Sequence, residues 1–313
     1  MARADVRRAT IRAHEAPIQR IHIRFLRFSA FYSPLLTTIG AGYLREEGLD
    51  ATYDIATPGR TLEDGIADGK VQVGQSAVAV SFAPWERGEA LPYKHFALLN
   101  NRDGFFLAGK NLPQPFDWRS LIGRPVIVDH FFQPHAMFRD ALRQQGIDPD
   151  QVPVIDAGDV QAIERAYREG RADVVHMQGP APQQLEADGL GRVVASVGAA
   201  VGPVVFSTLC ASPAWLGTDM ARSFLRAYRK GRAHAQAAAP DDAAAILAPF
   251  LPDVDRPVLA RTVTEYQRLG CWTGDIAITR ELYDRTAALF VRNGDIQRAA
   301  PYEAVVEALP DAR

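Results

Sequence analysis

Strand-like and helix-like segments alternate along most of this 313-residue chain. Residues 21–25 alternate apolar and polar side chains with the period of two that predicts a half-buried strand. Ser33 and Pro34 then read as the N-cap and first residue of a helix, which we predict over 35–47 and which ends at Gly48. Because this order recurs to about residue 196, it predicts an α/β fold with parallel sheets.

The pattern changes after Pro203. One predicted strand, 204–211, is followed by long helical segments that we predict at 213–238, 241–251, 256–268 and 279–293. The chain length suits two domains of roughly 100–200 residues each.

Composition and charge exclude several classes of protein. The chain is 47% hydrophobic and 23% charged, values that are ordinary for a globular protein. Its net charge of −2 argues against a nucleic-acid-binding protein, because such proteins usually carry a basic domain. No apolar run approaches the ~18 residues of a membrane span, so we predict none.

Two cysteines, Cys210 and Cys271, are too few for a disulfide framework or a four-thiolate zinc site. Since a free cysteine behaves as a small hydrophobic residue, we predict two buried thiols. The sequence predicts no metal and no cofactor.

Residues 1–20 are basic but lack the apolar segment of about 7–15 residues that a secretory signal needs. We predict an N-terminal arm over residues 1–19. This pattern favours a cytoplasmic chain, while a misassigned start and a trimmed signal stay open as alternatives.

Four segments stand in a characteristic order: YSPLLTTIGAGYLREEGLDATY, ADGKVQVGQSAVAV, SLIGRPVIVDHFFQPHAMFRDALRQQGIDP and LGCWTGDIAITRELYDRTAALFVRNGDI. In order and spacing they resemble the solute-binding proteins of the sulfonate, nitrate and taurine group, together with the thiamine-pyrimidine (NMT1/THI5-like) proteins. The resemblance covers roughly residues 20–306.

This resemblance implies an α/β fold of the two-lobed, periplasmic-binding-protein-like type (type II), with a ligand cleft between the lobes. It places lobe 1 at 20–108 plus 204–306, lobe 2 at 109–203 and a C-terminal tail at 307–313. A hinge between such lobes closes over the ligand. The resemblance also implies a periplasmic location, a small-molecule ligand, an ABC permease as partner, no nucleic acid, and a monomer or homodimer.

Ligands of open α/β sheets bind outside the carboxyl ends of the strands, so the loops after strands are the candidate site. Arg27 and Arg60 lie in such loops and can hold a carboxylate or sulfonate bidentately, although Arg60 could equally be a surface residue paired with an acidic neighbour. Helix starts at Ser33 and Gln133 offer free N–H groups to an anion. The full set of predicted ligand contacts is Arg27, Tyr32, Ser33, Arg60, Ser76, Asn101, His130, Phe132, Gln133, His135, His176 and Gln178.

Three of these residues, His130, His135 and His176, are histidines of the second lobe, and Asp129 adjoins the first. They suit either hydrogen bonding to a neutral ligand or acid–base catalysis. A proline separates the first two, and the chain has no H-E-x-x-H motif, so the histidines do not have metal-ligand spacing.

Two functions follow. The first is binding of a small organic anion or heteroaromatic molecule, of sulfonate, carboxylate or pyrimidine type, as the solute-binding component of an ABC-type uptake system. The alternative is a cytoplasmic enzyme on the same fold, such as a desulfinase, an aromatic decarboxylase or a thiamine-pyrimidine synthesis enzyme, with the loop histidines as acid–base groups. Thiamine-pyrimidine synthases have a cysteine-rich run, whereas the matching segment of this chain, FSTLCASP, has one cysteine. The chain also has no G-x-S-x-G motif of a catalytic serine. We therefore favour the prediction of a binding protein.

Overall fold

The computed structural model of the chain describes residues 18–309. Most of the predicted N-terminal arm and the last four residues of the predicted C-terminal tail lie outside the described residues. Within residues 18–309, ten strands form two five-stranded sheets. The strands are β1 (Gln19–Phe25), β2 (Leu49–Ile55), β3 (Val73–Ser76), β4 (Lys94–Asn100), β5 (Phe105–Gly109), β6 (Val126–Val128), β7 (Val154–Ile155), β8 (Val174–Gln178), β9 (Arg192–Ser196) and β10 (Ser207–Ala211).

The helices lie between and after these strands. They are α1 (Ser33–Gly40), α2 (Tyr43–Glu46), α3 (Leu62–Ala67), α4 (Phe82–Glu86), α5 (Phe132–Gln144), α6 (Val160–Arg168), α7 (Ala181–Ala187), α8 (Val197–Val201), α9 (Pro213–Leu216), α10 (Asp219–Ala237), α11 (Pro240–Leu247), α12 (Arg256–Leu269), α13 (Arg280–Asn293) and α14 (Tyr302–Val305). No helix within residues 18–309 is long and apolar enough to cross a bilayer.

The two sheets have the same strand topology. The first has the order β2-β1-β3-β10-β4 and the second β7-β6-β8-β5-β9. In each sheet one strand runs antiparallel to both neighbours: β10 against β3 and β4, and β5 against β8 and β9. The prediction of α/β layers is confirmed, and the prediction of wholly parallel sheets is wrong at these two strands, since each follows a crossing from one sheet to the other.

One strand was not predicted, and two of the predicted helices are each divided in the structure. Strand β5, all of whose residues are buried, was not predicted. The helix predicted over 35–47 is two helices, because Gly42 takes a left-handed φ of 83° between them. The helix predicted over 213–238 is also two, because the Thr218 hydroxyl caps a new start by accepting from the Ala221 amide at 3.2 Å.

The chain crosses between the sheets twice. The first crossing joins β4 to β5 and the second joins β9 and α8 to β10. The two run side by side, since the Val204 amide donates to the Asn101 carbonyl at 2.9 Å. A Cβ on Gly104 would lie 2.5 Å from the Phe31 ring, so the first crossing has no room for a side chain there. We propose lobe boundaries at these crossings, which assigns the residues of β5 to the second lobe.

Candidate functional site

A cavity of about 380 Å³ lies where strands of both sheets end. Its wall comes from the loops after β1, β2 and β3 in the first sheet and after β6 in the second, with the end of β8 and the start of β5. Both sheets therefore contribute the carboxyl ends of their parallel strands, where ligands of α/β proteins bind.

Aromatic rings form much of the wall of this cavity. The second sheet contributes Phe105, the loop after β6 contributes Phe131, and α5 contributes its first residue, Phe132. The first lobe contributes Tyr32, which is buried, and Phe206 lies on the second crossing. Such rings bury area against a flat ligand and present π faces to it.

Arg27 supplies a positive charge in this wall. Its Nη1 donates to Asp129 Oδ2 at 3.2 Å, an ion pair that joins the loop after β1 to the loop after β6. Its guanidinium carbon lies 5.9 Å from the centre of the Phe131 ring. Within residues 18–309 the remaining guanidinium N–H groups have no partner, so the group can still receive an anion.

Three polar atoms of the cavity wall are buried without a hydrogen-bond partner in the described part of the chain: Ser76 Oγ, Gln133 Oε1 and Gln178 Oε1. The Gln133 Nε2 donates to the Val205 carbonyl at 3.2 Å, which fixes the amide oxygen as the free end. Because an unsatisfied buried polar group costs about 1–3 kcal/mol, these oxygens indicate where a ligand would donate N–H or O–H hydrogen bonds.

The structure brings six of the twelve predicted contacts together around the cavity. They are Arg27, Tyr32, Ser76, Phe132, Gln133 and Gln178. Direct contact between these residues and a ligand stays a prediction.

The other predicted contacts are not part of the cavity wall. The buried Ser33 hydroxyl donates to the Ala30 carbonyl at 2.5 Å. Arg60, whose side chain is 59% exposed, pairs with Asp54 at 3.3 Å instead of facing the cavity. Asn101 donates from Nδ2 to the Thr273 carbonyl at 3.1 Å, on the other side of the first crossing.

The three histidines lie in the second lobe, beside the cavity wall. The rings of His130 and His135 are 4.6 Å apart. The fully buried His176 stacks on Phe105 at 4.7 Å, so the Phe105 ring belongs to the cavity wall and the imidazole does not. Within residues 18–309 no group of three metal-ligating side chains is close enough to hold an ion.

Burial sets the charge of two of these histidines. It lowers the pKa of His176 to about 3, and with the nearby His130 and Arg139 it lowers the pKa of His135 to about 4. Both side chains are therefore neutral at pH 7. Neither is suited to acid–base catalysis with a pH dependence near pH 6–7.

We predict that the protein loses stability as the pH falls below about 6.5. Burial holds the pKa of His95 and of His176 at about 3, whereas an unfolded histidine has a pKa of ~6.5. The unfolded chain then binds protons that the folded chain does not. Between the folded and the unfolded pKa, each of these histidines lowers the free energy of unfolding by roughly 1 kcal/mol for every pH unit of acidification. Urea unfolding of wild type and His176→Leu at pH 7, 6 and 5 checks this. The variant should lose less stability per pH unit, and equal slopes would contradict the prediction.

Some residues of the cavity wall were not among the predicted contacts. Phe105 was missed because its strand was not predicted, although the unbroken apolar run at 105–108 was an available signal. Phe206 and Glu63 reach the cavity only through the tertiary fold. Glu63 also accepts a hydrogen bond from the Tyr93 hydroxyl at 3.1 Å.

The model of the NMT1/THI5-like family matches residues 31–243. The chain belongs to this family. Among curated proteins, YtlA of Bacillus subtilis, whose name describes a binding protein, is 23% identical over 297 residues, 93% of this chain and 89% of YtlA.

Solved structures share the fold. The ligand-binding component of an ABC-type import system from Staphylococcus aureus superposes with a TM-score of 0.72 at 16% identity, over 93% of this chain and 97% of that one. The alkanesulfonate-binding protein SsuA from Xanthomonas axonopodis pv. citri, bound to MOPS, gives a TM-score of 0.70 at 14% identity, over 94% and 99%. The two-lobed fold of solute-binding proteins, predicted from the sequence, is confirmed.

Proposed function

We propose that this protein is the solute-binding component of an ABC-type import system. The description of YtlA as a binding protein and of the Staphylococcus protein as an import component supports this. We also propose a permease as its partner and a periplasmic location. The protein is predicted to be a monomer or a homodimer. The burial of His135 and His176 favours binding over the enzyme alternative.

The cavity defines the class of ligand in the proposal. The proposed ligand class rests on the position of Arg27 within an aromatic wall. A guanidinium recognises an acidic group, and the aromatic rings pack against a flat ring of the ligand. The free oxygens of Gln133 and Gln178 call for a hydrogen-bond donor on the same molecule. The ligand is thus a small ring compound with one sulfonate or carboxylate and an N–H or O–H group.

Contacts across the cleft suggest how binding is coupled to closure. The Ser29 hydroxyl donates to the Gly179 carbonyl at 2.6 Å, and Arg27 pairs with Asp129, so both pairs join the first lobe to the second. A ligand that contacts both lobes binds the closed form better than an open one and raises its population. A permease would then recognise the closed form.

A ligand of the proposed class should raise the melting temperature of the protein. At 100 times its Kd a ligand stabilises the folded state by about 2.7 kcal/mol, which corresponds to roughly 5–10 °C for a chain of this size. We would screen aromatic and heteroaromatic sulfonates and carboxylates, with uncharged analogues as matched controls. The acids should give the shift and mass spectrometry should recover them unchanged. A folded protein that responds to no acid, or that converts the hit to a new mass, would contradict the proposal.

A further inference from the structure

A second cavity, of about 480 Å³, lies in the first lobe and shares no lining residue with the cavity between the lobes. One side of it is helix α10, which presents Arg229, Arg232 and Gln236. The other side is the loop after α12, residues 272–276. Residues three apart on a helix lie on the same face, so the two guanidinium groups enter the cavity wall together.

Arg232 is a buried cation that forms no ion pair within residues 18–309. It is 3% exposed, its Nη1 donates to the Leu99 carbonyl at 2.6 Å, and its Nη2 donates to the Thr273 carbonyl at 3.2 Å. Its Nε has no hydrogen-bond partner within the described part of the chain. Carbonyl groups satisfy N–H donors but do not neutralise the charge, and a buried charge is costly unless it is paired.

Arg229 adds a second charge at the same place. Its Nη1 is buried and, within residues 18–309, has no partner. Asp275 also lines the cavity, with its Oδ1 accepting from the Ala277 amide at 2.8 Å. With two arginines and one carboxylate the wall keeps one positive charge. Within residues 18–309, two of its N–H groups lack an acceptor and the Gln236 Oε1 lacks a donor.

We propose that this second cavity binds a small oxyanion of the phosphate type, either free or as the acidic group of a small organic molecule. The guanidinium N–H groups of Arg229 and Arg232 match the oxygens of a tetrahedral anion. The volume exceeds what an inorganic ion requires, which leaves room for an organic remainder.

The site adjoins the first crossing between the lobes. The Thr273 carbonyl accepts from Arg232 and also from Asn101 Nδ2, at 3.2 and 3.1 Å. An anion bound to the arginines would therefore sit against the first crossing between the lobes. This site is independent of the proposed function.

The test uses the full chain and isothermal titration with sodium phosphate and with phenyl phosphate, against sodium chloride at equal ionic strength. We expect saturable binding of a phosphate probe and none of chloride. Tighter binding of phenyl phosphate would identify an organic ligand, and equal or tighter binding of phosphate would identify the free ion. Absence of saturable binding by either probe would overturn the proposal.

Variants locate the binding. Arg229→Gln should weaken phosphate binding at least tenfold, and Arg229→Lys should weaken it less because the charge remains. The matched control is Arg222→Gln on the same helix, where the arginine already pairs with Asp219 at 2.9 Å, and it should bind as wild type does. Binding that survives Arg229→Gln but disappears in Arg27→Gln would place the anion between the lobes and overturn the proposal.

Discussion

Replacement of Trp272 by alanine is expected to lower the free energy of unfolding by about 3–5 kcal/mol. The side chain is 1% exposed and packs against Tyr266. Its Nε1 donates to Asn100 Oδ1 at 2.7 Å and lies 3.2 Å from the Phe31 carbonyl. The substitution therefore leaves a large cavity and removes the donor from two buried acceptors at the base of the first crossing.

Two further variants separate these causes. Trp272→Phe keeps most of the ring and loses the donor, so it should cost about 1–3 kcal/mol, the penalty for an unsatisfied buried group. Trp85→Ala is the matched control, because this tryptophan is only partly buried and stacks against Arg298. Urea unfolding followed by circular dichroism measures all three. Equal stability of Trp272→Ala and Trp85→Ala would show that Trp272 does not anchor the lobe.

Local pattern was enough to predict most of the elements. The strand predicted at 192–196 and the helix predicted at 256–268 agree with β9 and α12 to within one residue. Both signals are local. Strand β9 is a short apolar run bounded by glycine, and α12 has a helical period of apolar residues that ends at Gly270. Strand β5 lacks the alternation of apolar and polar residues that reveals a half-buried strand, so only its unbroken apolar run at 105–108 could have indicated it.

The site was predictable only in part, for a different reason. Strand ends locate the loops, and Arg27, Ser76 and Gln178 all lie in or beside such loops and reach the cavity. Which side chains of a loop face inward depends on their tertiary partners. Arg60 is held outward by Asp54, and His176 lies behind Phe105, and neither partner could be identified from spacing.

Arg27→Gln is expected to weaken the binding of an acidic ligand by about 10- to 160-fold, which corresponds to the roughly 1.5–3 kcal/mol of a hydrogen bond to a charged group. The variant keeps a polar but shorter side chain and removes the positive charge from the cavity wall. An uncharged analogue of the same ring should bind wild type and variant alike. Isothermal titration with both ligands measures the difference.

Asp129→Asn tests the other half of the ion pair. In wild type the Asp129 carboxylate holds Arg27 at 3.2 Å and competes with a ligand acid for it. The amide competes less, so this variant should bind the acid more tightly than wild type. Arg60→Gln, at the exposed arginine outside the cavity wall, should leave the affinity unchanged.

The double variant Arg27→Gln with Asp129→Asn decides between the two roles that the pair can have. If Asp129 acts only by competing for Arg27, the double variant should bind the acid as weakly as Arg27→Gln alone, because nothing is left to compete for. If the pair serves mainly to hold the lobes closed, both single variants should weaken binding of the uncharged analogue as well. That second pattern would remove Arg27 from direct contact with the ligand and make it a positioning residue of the closed form.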